Sequence, residues 1–228
     1  MPEKEDITEL DKLNVFIDEY CLIRRRLLEN LHIISRDLEI SKENIPLNVM
    51  SMICQHIEIA INLFVYYQEN IDAIEDELWD RINIQERMVF ALNLSCLEYM
   101  VKPYYHETKP RIGIILNTKG REKKNITLRD IIDLSNRIDV IDDHDYELWK
   151  GLLELRNCTV HNNSVSSVTK EYIFPAYESE SYLFEELHLN FIEGEAVRSN
   201  IWLFPHLINW TIDSIENWIY KIHIYKSD

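Results

Sequence analysis

Between positions 46 and 79, Met50, Ile53, Ile57, Ala60, Phe64, Tyr67, Ile71, Ile74 and Leu78 step by threes and fours without a break. That period is the signature of one apolar face on an α-helix. Ile59, Leu63 and Tyr66 widen the stripe, which predicts a central helix buried on most sides. The rest of the chain offers few places to stop a helix. Its 228 residues hold only 4 glycines and 6 prolines, so long helices joined by short loops are expected. With 46% hydrophobic residues it can build a sizeable core, which excludes global disorder.

Further helices are expected over 6–38, with Arg24, Arg25 and Arg26 as a solvated turn, and over 84–101, ending near Pro103. The stretch 103–126 reads as a loop. Thr127 followed by Asp130 predicts a capped short helix to about 139. Acidic 142-DDHD-145 then opens another helix, which closes near 161. After it, 170-KEYIFPAY-177 and 182-YLFEELHLNFIEG-194 are rich in aromatic and β-branched residues and flank 178-ESES-181. They predict a β-hairpin at about 168–194. A last helix over 200–224 carries the seam Ile208, Ile212, Ile215, Ile219 and Ile222, which reads as intramolecular core. The expected fold is mainly α: a single helical bundle over 1–228 with a small β-hairpin inserted before the last helix.

Composition narrows the function classes. No apolar run reaches the roughly 18 residues needed for a membrane span, and the opening MPEKEDITELDK lacks an apolar signal core. Cys21, Cys54, Cys96 and Cys158 stand singly, as in a reduced, cytoplasmic protein. The net charge of −16 repels phosphate and argues against a general nucleic-acid binder. The charge is uneven, however: from Lys102 to Arg137 the balance is +5. Lys119, Arg121, Lys123 and Lys124, in 119-KGREKKN-125, are the candidate substrate contacts, although such a run is also an ordinary solvated loop. No metal or cofactor is expected. 142-DDHD-145 suits the first turn of a helix, Glu185 and His188 form a single ExxH pair in a strand, and no glycine-rich phosphate loop occurs.

The chemistry concentrates in 155-LRNCTVHNN-163. On an ideal helix Tyr146, Trp149, Leu152, Leu153 and Val160 share one side, and Arg156 falls near its middle. A guanidinium among apolar neighbours needs an acid, a ligand or water in reach. Asn157 and His161 are four apart on a neighbouring face. A histidine at a helix C-terminus also suits the macrodipole, and an asparagine pair is an ordinary cap, so a purely structural reading stays open.

The string Arg156-Asn157-Cys158-Thr159-Val160-His161 resembles the R-[polar]-x3-H signature of the HEPN superfamily (higher eukaryotes and prokaryotes nucleotide-binding domains). Looser pairs, such as Arg25 or Arg26 with His32, or Arg137 with His144, do not end an apolar helix in a His-Asn pair. The resemblance is specific over 155–163 and loose over the bundle. It implies a HEPN-like helical bundle and metal-independent RNA cleavage in a composite cleft of a homodimer. Arg156, Asn157 and His161 would be the catalytic residues, within a toxin–antitoxin or defence setting that includes an antitoxin or regulatory protein. An imidazole titrates near ~6.5 in water, so His161 can act as base or acid near neutral pH. Arg156 would hold the phosphate and Asn157 would orient. The tyrosine that some family toxins carry two residues after the histidine is Asn163 here, which speaks against that mode of regulation. Two alternatives remain: a non-catalytic HEPN-like module binding a nucleotide, RNA or protein, and a helical interaction protein whose motif is coincidental.

Overall fold

A computed structural model describes residues 8–38, 45–161, 165–178, 183–197 and 202–225. The elements run α1 (Glu9–Asp37), α2 (Ile45–Glu69), the short α3 (Ile71–Ile74) with a 3-10 turn (Glu75–Glu77), α4 (Leu78–Ile112), α5 (Leu128–Arg137) and α6 (Asp143–His161). Strands β1 (Lys170–Phe174), β2 (Tyr177–Glu178), β3 (Leu183–Phe184) and β4 (Leu187–Phe191) precede α7 (Leu203–Ile224). The protein is mainly helical, with its small β element before the last helix.

Helices α1, α2, α4 and α7 each pack on the next and close a ring, while α5 and α6 flank α4. Phe16, Tyr20, Phe64, Phe90 and Phe204 are fully buried inside it. Thr127 and Asp130 cap α5 reciprocally, as expected, and Thr8 and Asp11, a pair the sequence reading did not single out, do the same for α1. The isoleucine seam of α7 is buried throughout, from Ile208 to Ile222, so it is core within this chain.

Four expectations are corrected. The stripe over 46–79 is not one helix: α2 ends at Glu69, and Asn70 turns its side-chain amide back onto the Tyr66 carbonyl at 2.8 Å. Nor is α2 buried on most sides, since Ile59 and Tyr66 are 60% and 54% exposed. By length and composition alone, Leu47–Glu69 would suffice to cross a bilayer, a property missed in the sequence. In the fold, its core face packs against α1 and α4. Third, α4 does not stop near Pro103 but runs to Ile112 through both Pro103 and Pro110. An interior proline costs about 3 kcal/mol. Tyr104, Tyr105, Thr108 and Ile112, all buried beyond it, offset that cost, each apolar side chain by roughly 1.5–3 kcal/mol. Gly113, at φ 93°, then ends the helix. Fourth, the arginine triplet, which lies inside α1 as expected, is not simply a solvated turn of that helix, because Arg24 and Arg26 work as cross-links. Arg24 donates to Glu58 of α2 at 3.0 Å, and Arg26 donates to Asp213 of α7 at 2.7 Å.

The hairpin lies where its alternation predicts. β1 and β4 pair antiparallel from Lys170 opposite Phe191 to Phe174 opposite Leu187, and β2 pairs with β3. Tyr172, Phe174, Leu189 and Phe191 face inward. They pack the hairpin onto α6 and α7: Phe174 meets Trp210 edge to face, and the Tyr172 ring lies over Gly151.

Candidate functional site

Helix α6 starts where acidic 142–145 predicts, because the Asp142 carboxylate accepts the backbone N–H of Asp145 at 2.8 Å. Its buried face is Leu148, Trp149, Leu152, Leu155 and Cys158. Trp149 donates its indole N–H to Ser214 of α7 at 2.8 Å, which fixes the helix's rotation. Arg156 and Asn157 are thereby turned toward the rim of the core, with Arg156 half-buried, Asn157 exposed and Val160 46% exposed. The apolar side drawn from an ideal helix is therefore rotated in the structure. Its centre is Leu152 and Leu155 rather than Arg156.

The acid that Arg156 requires is Glu98 of α4. The Nη2 of Arg156 donates to Glu98 Oε2 at 2.5 Å, with the arginine side chain 19% and the glutamate 38% exposed. That bond uses one of the five N–H donors of a guanidinium. The group is thus positioned, charge-compensated and still in touch with solvent. Glu154, two residues before Arg156, accepts from the Ser167 hydroxyl at 3.1 Å and from its backbone N–H at 3.3 Å. This ties the chain after the motif back onto α6. Burial and the neighbouring Glu154 carboxylate push the Cys158 thiol up to about 11, so it is not a thiolate nucleophile near neutrality. His161 is the last residue of α6. Its side chain, and residues Asn162 and Asn163, lie outside the described residues.

The basic segment forms a tight turn. Leu116 and Glu122 bridge across it, and the Asn117 side chain accepts the backbone N–H groups of Lys119 and Arg121 at 2.9 and 3.2 Å. Lys119, Arg121 and Lys124 are exposed and make no ion pair among the described residues. Lys123 is already engaged: its Nζ lies 2.7 and 2.8 Å from the two oxygens of Asp130, which also caps α5.

The structure does not bring this turn next to the motif within one chain. Arg111, just before the turn, reaches the His223 carbonyl at the C-terminal end of α7. The motif end of α6 instead lies by Leu203 and Phe204, where Cys158 and Thr159 line a narrow cleft with Arg87. The intervening length of α7 corresponds to roughly 30 Å at the rise of an α-helix. Sequence reading missed Glu98 and Glu154. The only signal for Glu98 was the demand of Arg156 for an acid, and 58 residues separate the pair.

Comparison with protein-family models, with curated proteins and with solved structures gave no match for this chain. The likeness to the HEPN signature therefore stands on residues 155–163 and the helical context alone.

Proposed function

We propose that this chain is a metal-independent endoribonuclease of the HEPN type that acts as a homodimer. In this reading one His161 takes the proton of a ribose 2′-hydroxyl and O2′ attacks the phosphorus. The P–O5′ bond breaks, and the departing O5′ receives a proton from the His161 of the second copy. The products are a 2′,3′-cyclic phosphate and a 5′-hydroxyl. Arg156 meets the charge that grows on the phosphate, and Asn157 orients the phosphate or the imidazole. The observation that carries the reading is the placement of Arg156. It sits in the last turns of α6, compensated by Glu98 yet still accessible, beside exposed Asn157 and ahead of His161. A cytoplasmic toxin or defence role with an antitoxin or regulator follows from the resemblance alone.

The test is incubation of the purified chain with single-stranded and structured RNAs in EDTA. Cleavage that leaves cyclic-phosphate ends, and that disappears in His161→Ala and Arg156→Ala while both variants remain folded, is the expected result. One observation favours a second reading, a non-catalytic HEPN-like binding module: Glu98 already neutralises the guanidinium that would meet the phosphate. Retention of RNA or nucleotide without cleavage of any RNA tested selects that module.

A further inference from the structure

On α4, the exposed positions Ile84, Met88, Leu92 and Tyr99 lie along one side, 48–77% accessible. Ser95 lies on the same side, and no charge appears on this face between Arg81 and Lys102. Ile59 and Tyr66 of α2 extend it. The two helices run antiparallel and are joined where His56 Nδ1 meets Asn93 Oδ1 at 2.8 Å. Stepping away from that bond at 1.5 Å per residue on each helix brings Ile59 to a level between Met88 and Leu92, and Tyr66 to within one residue of Ile84. Glu58, the nearest α2 acid, turns the other way to Arg24 of α1. An uncharged, aromatic- and methionine-bearing face of this extent is unusual on a chain with 28% charged residues.

We propose that this face of α2 and α4 is where two copies of the chain associate. The six apolar side chains expose on the order of 800 Å² per copy, matching what a standard stable interface buries on each partner. Charge picks the occupant. Two copies carrying −16 each repel one another, and that repulsion is least where the surfaces that meet carry no charge of their own. A nucleic acid or a charged peptide finds nothing on this face to pair with. The face also borders the candidate site, since Tyr99 adjoins Glu98, which holds Arg156 on the α6 side of α4. A two-fold axis that crosses α4 near Ser95 would set the two motif edges on either side of one seam, with the Glu98 residues offset by roughly 9 Å along the helices. Only this consequence for catalysis rests on the nuclease reading; the association does not.

The experiment is light-scattering mass determination on the full chain at micromolar concentration. The expected mass is twice 27.4 kDa for the unaltered chain. It should fall two-fold in the Met88→Glu/Leu92→Glu variant, with unchanged helical circular dichroism. Oxidation of Ser95→Cys, with Cys21→Ser as the parent, should give a covalent dimer that the parent does not. A monomeric unaltered chain at 100 µM, a dimer that persists in the charge variant, or sedimentation with phosphatidylcholine vesicles through these same residues overturns the proposal. RNA cleavage is read separately. A monomeric charge variant that still cleaves fully leaves the interface standing and removes the composite active site.

Discussion

Arg156 of α6 and Glu98 of α4 form an ion pair at 2.5 Å, and it joins the motif helix to the longest helix of the protein. Removing either partner leaves a part-buried charge without compensation. Glu98→Ala should therefore destabilise the fold by about 1–2 kcal/mol, read as a lower urea midpoint with unchanged slope. A double-mutant cycle with Arg156→Ala should show positive coupling. If Arg156 also serves a phosphate, Glu98→Gln should keep cleavage while Arg156→Lys loses it, because lysine cannot grip two oxygens in parallel. Equal loss in both variants would assign the pair to structure alone.

The exposed turn at 119–124 offers a second check. Reversing Lys119, Arg121 and Lys124 to glutamate should leave thermal stability unchanged, since none of them is paired among the described residues. Affinity for single-stranded RNA should weaken, and the salt dependence should become shallower by roughly 0.7 for each phosphate no longer neutralised. Affinity and slope that do not move would remove this turn from substrate binding. The same reversal at Lys123 should instead cost stability, because it sets a carboxylate against Asp130.

Gly151 is interior to α6, where alanine ordinarily stabilises by about 1 kcal/mol. Here a Cβ would lie 2.8 Å from Tyr172 Cγ and 3.0 Å from Cδ2, so the inward face of β1 must shift. Gly151→Ala should lower stability by about 1–3 kcal/mol and loosen the hairpin. Hydrogen exchange at Tyr172 and Leu189 would report it. Restoration by the added change Tyr172→Leu would identify the ring as the cause.

Glu216 of α7 gives a pH dependence. Burial raises its carboxyl to about 7, against the opposing hydrogen bond from Asn30, and Asp213 adds to the rise. The folded state thus binds a proton that the unfolded chain releases near 4.5. The stability associated with that proton is complete below about 4.5 and is lost as pH rises toward 7. Glu216→Gln should flatten this decline. It should leave the protein on the order of 1 kcal/mol more stable than the unaltered chain above pH 7, the value being reduced by partial solvent exposure. Parallel melting curves from pH 4.5 to 8 would show the two slopes, and identical slopes would refute the assignment.

The elements that could be read from sequence are those whose cause is local. Thr127 and Asp130 cap α5 three residues apart, the isoleucines of α7 repeat on one face, and alternation in 170–174 and 187–191 selects the inward residues. A local rule also located Arg156 on a helix that needs an acid. Only the tertiary structure decided that α4 passes through Pro103, because the offsetting burial of Tyr105 and Ile112 comes from other elements. It also decided that Ile59 and Tyr66 face solvent although they widen a core stripe, and that Glu98 is the acid. Hydrogen-bond caps and side-chain periodicity act within a few residues, so the chain encodes them in order. The packing of one helix on another depends on groups tens of residues apart, and no linear spacing records which of them meet.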